Sequence, residues 1–351
     1  MFSSERLELA RKRCRYTAKS LAEKAGISPV TLSRIVNKKQ EPDDATVAAL
    51  VRALGYPREF FFKDEPPKIR AEAASFRSLS TMTARERDAA LAAGELAFEL
   101  MDWVKEKFAL PEPDLLDLGP KHEQDPAATA RMVRQHWSIG EKPIGNIIKL
   151  FETKGIRVFS LSEDTKTVDA FSCWRGEEPF VFLNTMKSTE HSRFDMAHEL
   201  GHLILHKHGG PKGREAETEA NLFASAFLMP HADVAARIPF ISSVKQIVAA
   251  KKRWGVSAVA LAYRLNKLER MTEWQYIQVN RQYRTKEPDP MAQERSAVWK
   301  MVLSELWRDG ISRTHLARQL SLPIEEVTNL LFGLVEEAAP PQRSKPSLKI
   351  I

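Results

Sequence analysis

Apolar residues recur at helical spacing along most of this 351-residue chain. They predict several short helices in residues 5–62 and one long helix over residues 83–108, which has a broad apolar face. Between residues 156 and 184 the pattern changes to short strands, and a turn at residues 175–178 predicts a hairpin. Helical spacing then returns. The order of elements predicts a mainly α, multi-domain protein with one α+β domain in its middle.

The run His198-Glu199-Leu200-Gly201-His202 lies within one of the predicted helices. Because residues four apart share a helix face, the two histidines can bind one Zn²⁺ ion. Glu199 follows the first histidine and can act as a general base for hydrolysis. Such a pattern also arises by chance in ordinary charged helices. Here the apolar flanks predict a buried helix, and a buried helix suits a rigid metal site.

A zinc site of this kind needs a third protein ligand. His208 lies ten residues after His198, where one class of zinc peptidases has a third histidine. That class has a helix-breaking glycine midway, whereas this chain has Leu205, so we expect the helix to continue and to leave His206 and His208 too far along its axis. The acidic start of the next predicted helix is the other source. Spacing alone allows three carboxylates there: Glu215, Glu217 and Glu219.

Further segments accompany the histidine motif, namely Glu219-Ala220-Asn221-Leu222-Phe223-Ala224 and Leu228-Met229-Pro230. Together these motifs resemble the ImmA/IrrE family of zinc metallopeptidases. In that family the glutamate before Ala-Asn is the third ligand, so the resemblance implies a zinc site of His198, His202 and Glu219, with Glu199 as the catalytic base. The segment Ser75-Phe76-Arg77-Ser78-Leu79 is typical of long members that carry an N-terminal DNA-binding domain.

The amino-terminal helices have the spacing of a helix-turn-helix, with Gly26 at the turn and Ser28 as the N-cap of the second helix. This stretch resembles the Cro/C1-type (XRE) helix-turn-helix. Its second helix would enter the major groove of double-stranded DNA, and nearby lysines would contact phosphates. A helical bundle that binds protein or only dimerises is the alternative. The residues expected to contact DNA are Lys19, Ser28, Pro29, Thr31, Arg34, Asn37 and Lys38.

Charge and composition fit this interpretation. The chain has 53 lysines and arginines against 46 acidic residues, a net charge of +7. Residues 1–62 hold 12 of the basic and 7 of the acidic residues, an excess of five positive charges, so most of the positive field lies there. Two cysteines in different predicted domains argue against a disulfide framework and favour the cytoplasm. No stretch approaches the ~20 apolar residues of a membrane span, so no membrane partner is expected.

The predicted fold is an all-α helix-turn-helix domain, an α+β zincin-like peptidase domain and a C-terminal helical region. The long helix is expected to serve packing or a homodimer contact, and an edge of the hairpin could receive substrate backbone as an added strand. Residues 310–334 have the pattern of a second helix-turn-helix, but its acidic second helix predicts packing or protein contact rather than DNA binding. The predicted divisions are 1–64 (helix-turn-helix), 65–125 (linker and long helix), 126–236 (peptidase), 237–337 (C-terminal helices) and 338–351 (disordered tail).

These observations predict a cytoplasmic transcription regulator joined to a zinc endopeptidase. The family resemblance implies a protein substrate, often a repressor whose cleavage relieves repression, as in a stress response. A transcription factor whose peptidase-like half only senses a ligand or binds a partner is the alternative, and a role in toxin–antitoxin or phage defence is also open. The residue that would stabilise the oxyanion stays open among His206, His208, His231 and Tyr263.

Overall fold

The computed structural model describes residues 1–69, 74–76, 82–119, 125–161, 170–209, 211, 213–241 and 243–336. Three predicted features lie at least partly outside these residues: the disordered tail (338–351), part of the Ser-Phe-Arg-Ser-Leu segment (77–79) and a part of the predicted strand region (162–169). No helix among the described residues is both long enough and apolar enough to span a membrane. Helices dominate the described chain, which confirms the mainly α, multi-domain fold class.

The first domain is a helix-turn-helix bundle. Gly26 ends α2 in the left-handed conformation, and the Ser28 hydroxyl caps α3 by accepting the Thr31 amide. Leu21, on α2, and Ile35, on α3, are buried in the core of the bundle. Its elements are α1 (Ser4–Arg13), α2 (Ala18–Ala25), α3 (Pro29–Val36), α4 (Asp44–Leu54) and a 3₁₀ turn (Arg58–Phe62).

A long helix, α5 (Ala84–Lys105), connects this bundle to the sheet. It begins at a capping box formed by Thr83 and Glu86. Gly94 brings α5 close to the sheet, because a Cβ there would lie 3.3 Å from the rings of both Phe171 and Phe182. The long apolar face is therefore used for packing on the sheet and on the first helix of the bundle.

The described residues form one sheet of four strands in the order β1-β3-β4-β2. β3 pairs antiparallel with both β1 and β4, whereas β2 pairs parallel with β4. The sheet is therefore mixed: a small antiparallel sheet, the expectation from a hairpin flanked by helices, is wrong for β2, which joins the far side of the hairpin and runs in the direction of β4. The strands are β1 (Ala74–Phe76), β2 (Arg157–Ser160), β3 (Ala170–Arg175) and β4 (Glu178–Leu183), and two helices precede β2, α6 (Pro126–His136) and α7 (Ile147–Thr153).

Two helices, α8 (Thr189–Leu205) and α9 (Arg214–Leu228), pack closely together. Gly201 permits the close approach, because a Cβ there would lie 3.2 Å from the Ala220 Cα. α8 lies against β3 and β4. The helices α10 (His231–Arg237), α11 (Val244–Trp254), α12 (Ala258–Lys267) and α13 (Glu273–Tyr283) follow.

The chain ends in three described helices, α14 (Ala297–Arg308), α15 (Arg313–Leu320) and α16 (Ile324–Leu331). α16 packs on α5 and β2, and its Glu326 accepts hydrogen bonds from Arg13 (2.8 Å) and Tyr56 (2.9 Å) of the first domain. The acidic helix of the second helix-turn-helix pattern is thus engaged in packing, in line with its composition.

Candidate functional site

The two motif histidines lie on the face of α8 that turns toward α9. His198 is fully buried and His202 is 7% exposed. Their Nε2 atoms lie 3.0 Å apart, which is the convergence expected of histidines four residues apart on one helix. The helix α8 therefore brings the two sequence-predicted histidines together.

Glu217, near the start of α9, provides the third group. Its carboxylate oxygens lie 3.3 Å from Nε2 of His198 and 3.4 Å from Nε2 of His202. A tetrahedral zinc ion with bonds of ~2.0–2.1 Å holds its ligand atoms roughly 3.3 Å apart, so the spacing of these groups fits zinc. Burial raises the pKa of Glu217, but its bonds with the two histidines outweigh that effect and hold the pKa at about 2. The carboxylate is therefore available as an anionic ligand.

The prediction of Glu219 as third ligand is not supported by this geometry. Among the described residues, the group with metal-binding geometry is His198, His202 and Glu217. Glu217 shares a helix face with Ala220, the residue that contacts Gly201, whereas Glu219 is rotated by about 200° from Glu217. The helical periodicity of α9 could have identified Glu217 from the sequence, because the helix face that buries Ala220 also contains Glu217.

Glu219 instead belongs to a hydrogen-bonded chain behind the site, which we call the His206–Glu219 relay. Nε2 of His206 lies 3.0 Å from the Glu219 carboxylate, and Nδ1 of His206 lies 2.9 Å from Nδ1 of His202. Burial lowers the pKa of His206, which favours the neutral ring that this chain requires. On the other histidine, Nδ1 of His198 lies 3.1 Å from the Asn221 side-chain oxygen. Both ligand rings are thus held with Nε2 facing Glu217.

The helix α8 ends at Leu205, so the expectation that it continues is wrong. In the connection between α8 and α9, His206 turns back toward Glu219. His208 instead lies 2.6 Å from the Asp117 carboxylate. His231 lies exposed at the first position of α10, and the ring of Tyr263 packs edge-on against Tyr276.

The candidate base, Glu199, is fully buried beside the sheet. The Ser172 hydroxyl on β3 donates to its carboxylate at 2.7 Å. Sequence reasoning missed Ser172, although a polar residue between Phe171 and Cys173 in an otherwise apolar strand was a usable signal. Burial, with a further contribution from Glu199, raises the pKa of the Cys173 thiol to about 12, so this cysteine stays protonated.

The predicted DNA-contacting residues lie on or beside α3. Arg34 is exposed, and Ser28 and Pro29 lie exposed at the start of the helix. Asn37 caps the end of α3 and donates to the Ser33 carbonyl at 2.7 Å. Thr31 is partly exposed and bonds the Ser28 hydroxyl. The helix-turn-helix therefore presents the predicted side chains on an accessible surface.

The two lysines of the predicted interface differ in environment. Lys19 is exposed and lies 3.9 Å from Glu23, one helical turn along α2. Lys38 has a positive φ at the end of α3 and forms ion pairs with Glu5 and Glu65. The hydrogen bond from Lys38 holds the pKa of Glu5 at about 2. A phosphate at Lys38 would compete with these two carboxylates.

Comparisons with known families match two separate segments of the chain. The helix-turn-helix family matches residues 7–61, and the IrrE N-terminal-like domain matches residues 151–266, from α7 through most of α12. No curated protein matches the chain.

Proposed function

Since the chain has the ImmA/IrrE architecture, with a helix-turn-helix domain ahead of an IrrE N-terminal-like domain, we propose that it is a DNA-binding regulator with zinc endopeptidase activity. The observation that carries the proposal is the convergence of His198, His202 and Glu217 next to the buried Glu199. Two imidazoles and one carboxylate are the donor set of catalytic zinc sites, which keep a fourth position for water or substrate. Because the target is DNA, we assign the protein to the cytoplasm.

The residues of the site have distinct tasks in this reaction. His198, His202 and Glu217 would hold the zinc ion, which would supply Lewis acidity toward the scissile carbonyl and toward water. Glu199 accepts the proton of the attacking water on its carboxylate and passes it to the leaving amine nitrogen. The Ser172 hydroxyl holds that carboxylate in place. Asn221 and the His206–Glu219 relay fix the ligand rings.

On the DNA side, we propose that α3 enters the major groove of double-stranded DNA. Arg34 would contact base edges, because it is exposed on the second helix of the motif. Lys38 and Lys19 would contact phosphates on either side of α3, and Ser28, Pro29, Thr31 and Asn37 would line the same surface. Operator recognition then depends on Arg34 more than on the lysines.

We propose a partner repressor as the protein substrate, as the family resemblance implies. The alternative, a zinc-stabilised sensor without proteolysis, needs no carboxylate at position 199. Burial of a carboxylic acid is costly unless it is compensated by hydrogen bonds, and a purely structural zinc site gains nothing from it. The full burial of Glu199 beside two metal-binding histidines therefore favours an enzyme.

The test separates metal binding from proteolysis. Glu199→Gln should keep the fold and one zinc ion per chain, measured by elemental analysis, but should lower peptide hydrolysis by ~10²–10⁴-fold because the general base is lost. In cells, a repressor that is cleaved in the wild type should persist in the variant. Normal derepression in Glu199→Gln cells would instead support the sensor.

A further inference from the structure

The strand β3 lies next to the proposed catalytic base. Its Ser172 bonds Glu199 at 2.7 Å, and its Trp174 donates to the Leu203 carbonyl of α8 at 3.3 Å. Because adjacent strands are ~4.8 Å apart, a segment paired with β3 on the side away from β4 lies one strand spacing from the residue that holds the base. That side of β3 is the edge at which an extended peptide would reach the site.

Among the described residues, this edge is occupied by the chain itself. The strand β1 pairs antiparallel with β3 over three residues, whereas β4 pairs with the other edge of β3 over six. The register joins Ala74 to Cys173, Ser75 to Ser172 and Phe76 to Phe171. The middle residue of β1 is therefore the direct partner of the serine that contacts Glu199.

The two neighbours of β3 differ in how readily they could be replaced. β4 is the second strand of a tight hairpin and also carries β2, so its removal would break the sheet. As far as the structure describes the chain, β1 is an outer strand of three residues, held through a ladder that any extended peptide can reproduce. Of the two edges of β3, only the one covered by β1 can be given to another peptide without dismantling the sheet.

We propose that this edge of β3 is a peptide-binding site and that β1 is its resident occupant. A substrate segment must displace Ala74–Phe76 to pair with β3, so the chain limits access to its own peptidase site. A segment tethered in the same chain competes at an effective concentration of order 1 mM. The use of this edge by a substrate rests on the proposed peptidase function, but occupation of the edge by a peptide can be tested without zinc or catalysis.

The test uses variants that release or fix β1. In an antiparallel pair only alternate residues bond the partner strand, so Ala74→Pro with Ser75→Pro removes at least one ladder donor in either phase. Ala74→Ser with Ser75→Ala keeps both amides and is the matched control. Ala74→Cys, in a Cys14→Ser background, can form a disulfide with Cys173, because Cα atoms of directly opposed residues lie ~4.5–5.5 Å apart.

The probe is a peptide of residues 71–79 that carries a photoreactive benzoylphenylalanine at position 76. It is used at ~0.1 mM, a tenth of the effective concentration of the tether. The double-proline variant should crosslink to residues 170–175 about tenfold more than the wild type or the matched control. The oxidised Ala74→Cys variant should crosslink least, and dithiothreitol should return it to the wild-type yield.

Equal crosslinking in all folded forms, or none in the double-proline variant while its circular dichroism stays native, would overturn the proposal. A second readout is cleavage of fluorescent casein by the zinc-loaded proteins, which should rise in the double-proline variant. If the wild type and Glu199→Gln hydrolyse casein equally, the proposed peptidase function fails, but the crosslinking result still decides whether the edge binds a peptide. Failure of the proposed peptide-binding edge can therefore be told apart from failure of the proposed peptidase function.

Discussion

The third metal ligand gives the sharpest prediction, because Glu217 and Glu219 are two residues apart and chemically identical. Glu217→Gln removes a carboxylate that faces both histidines at 3.3–3.4 Å. Glu219→Gln weakens only the far end of the His206–Glu219 relay. The two isosteric substitutions change the same charge and the same volume on one helix. A difference in zinc affinity between them therefore reports position alone.

The magnitudes follow from the two environments. Structural zinc sites bind with ~10–16 kcal/mol over four ligands, or about 2.5–4 kcal/mol for each ligand. Loss of Glu217 should therefore weaken zinc binding by about 10²–10³-fold. Loss of a hydrogen-bonding partner of a ligand costs about 10–100-fold, and Glu219 lies one bond further back, behind His206, so Glu219→Gln should fall at the low end of that range.

The assay is competition with a chromophoric chelator at neutral pH, with circular dichroism to establish that both variants are folded. Glu215→Gln is the control, because Glu215 lies in the same first turn of α9 and should leave zinc affinity unchanged. If Glu219→Gln weakened zinc binding as much as Glu217→Gln, or more, the assignment of Glu217 would be refuted, and the ligand set implied by the family resemblance would stand.

Three further predictions test other parts of the structure. Gly201→Ala should destabilise the protein by ~1–3 kcal/mol in chemical denaturation, because the new Cβ would lie 3.2 Å from Ala220, whereas Gly145→Ala, with open space at its Cβ, should have little effect. The thiols of Cys14 and Cys173 have pKa values raised by burial to about 11 and about 12, so both should react slowly with a disulfide reagent at pH 8 and faster at higher pH or after unfolding, since the thiolate is the reactive form. Arg34→Ala should cost ~1–3 kcal/mol at a specific operator in a mobility-shift titration, while Lys38→Ala should weaken binding to all sequences alike and reduce its salt dependence.

The parts of the site that depend on local sequence could be predicted. Gly26 and Ser28 mark the turn of the helix-turn-helix because their roles follow from backbone conformation and capping. His198 and His202 meet because helix geometry alone brings them together. These features need no knowledge of the rest of the fold.

The parts that depend on packing between elements could not be predicted in the same way. The position of Glu217, rather than Glu219, at the two histidines is set by which face of α9 packs on Gly201, whereas the family resemblance implies Glu219. Ser172 reaches Glu199 only because β3 lies along α8. The pairing of β1 with β3 joins residues about a hundred positions apart in the sequence. A segment of three residues is also too short for its hydrophobic pattern to predict a strand.

The first domain is packed on the helix that supports the sheet beside the candidate site. Arg6, at the base of the helix-turn-helix bundle, pairs with Glu99 of α5 at 2.9 Å, and both side chains are largely buried. The opposite contacts of α5 are with the sheet, where Gly94 meets Phe171 of β3. Removal of one partner of a buried ion pair is costly, about 3–5 kcal/mol, so the bundle and α5 should move as one body. A rearrangement of β3 when a peptide replaces β1 would then reach the domain that holds α3 through α5, with α16 as a second connection because it packs on β2 and bonds Arg13 and Tyr56.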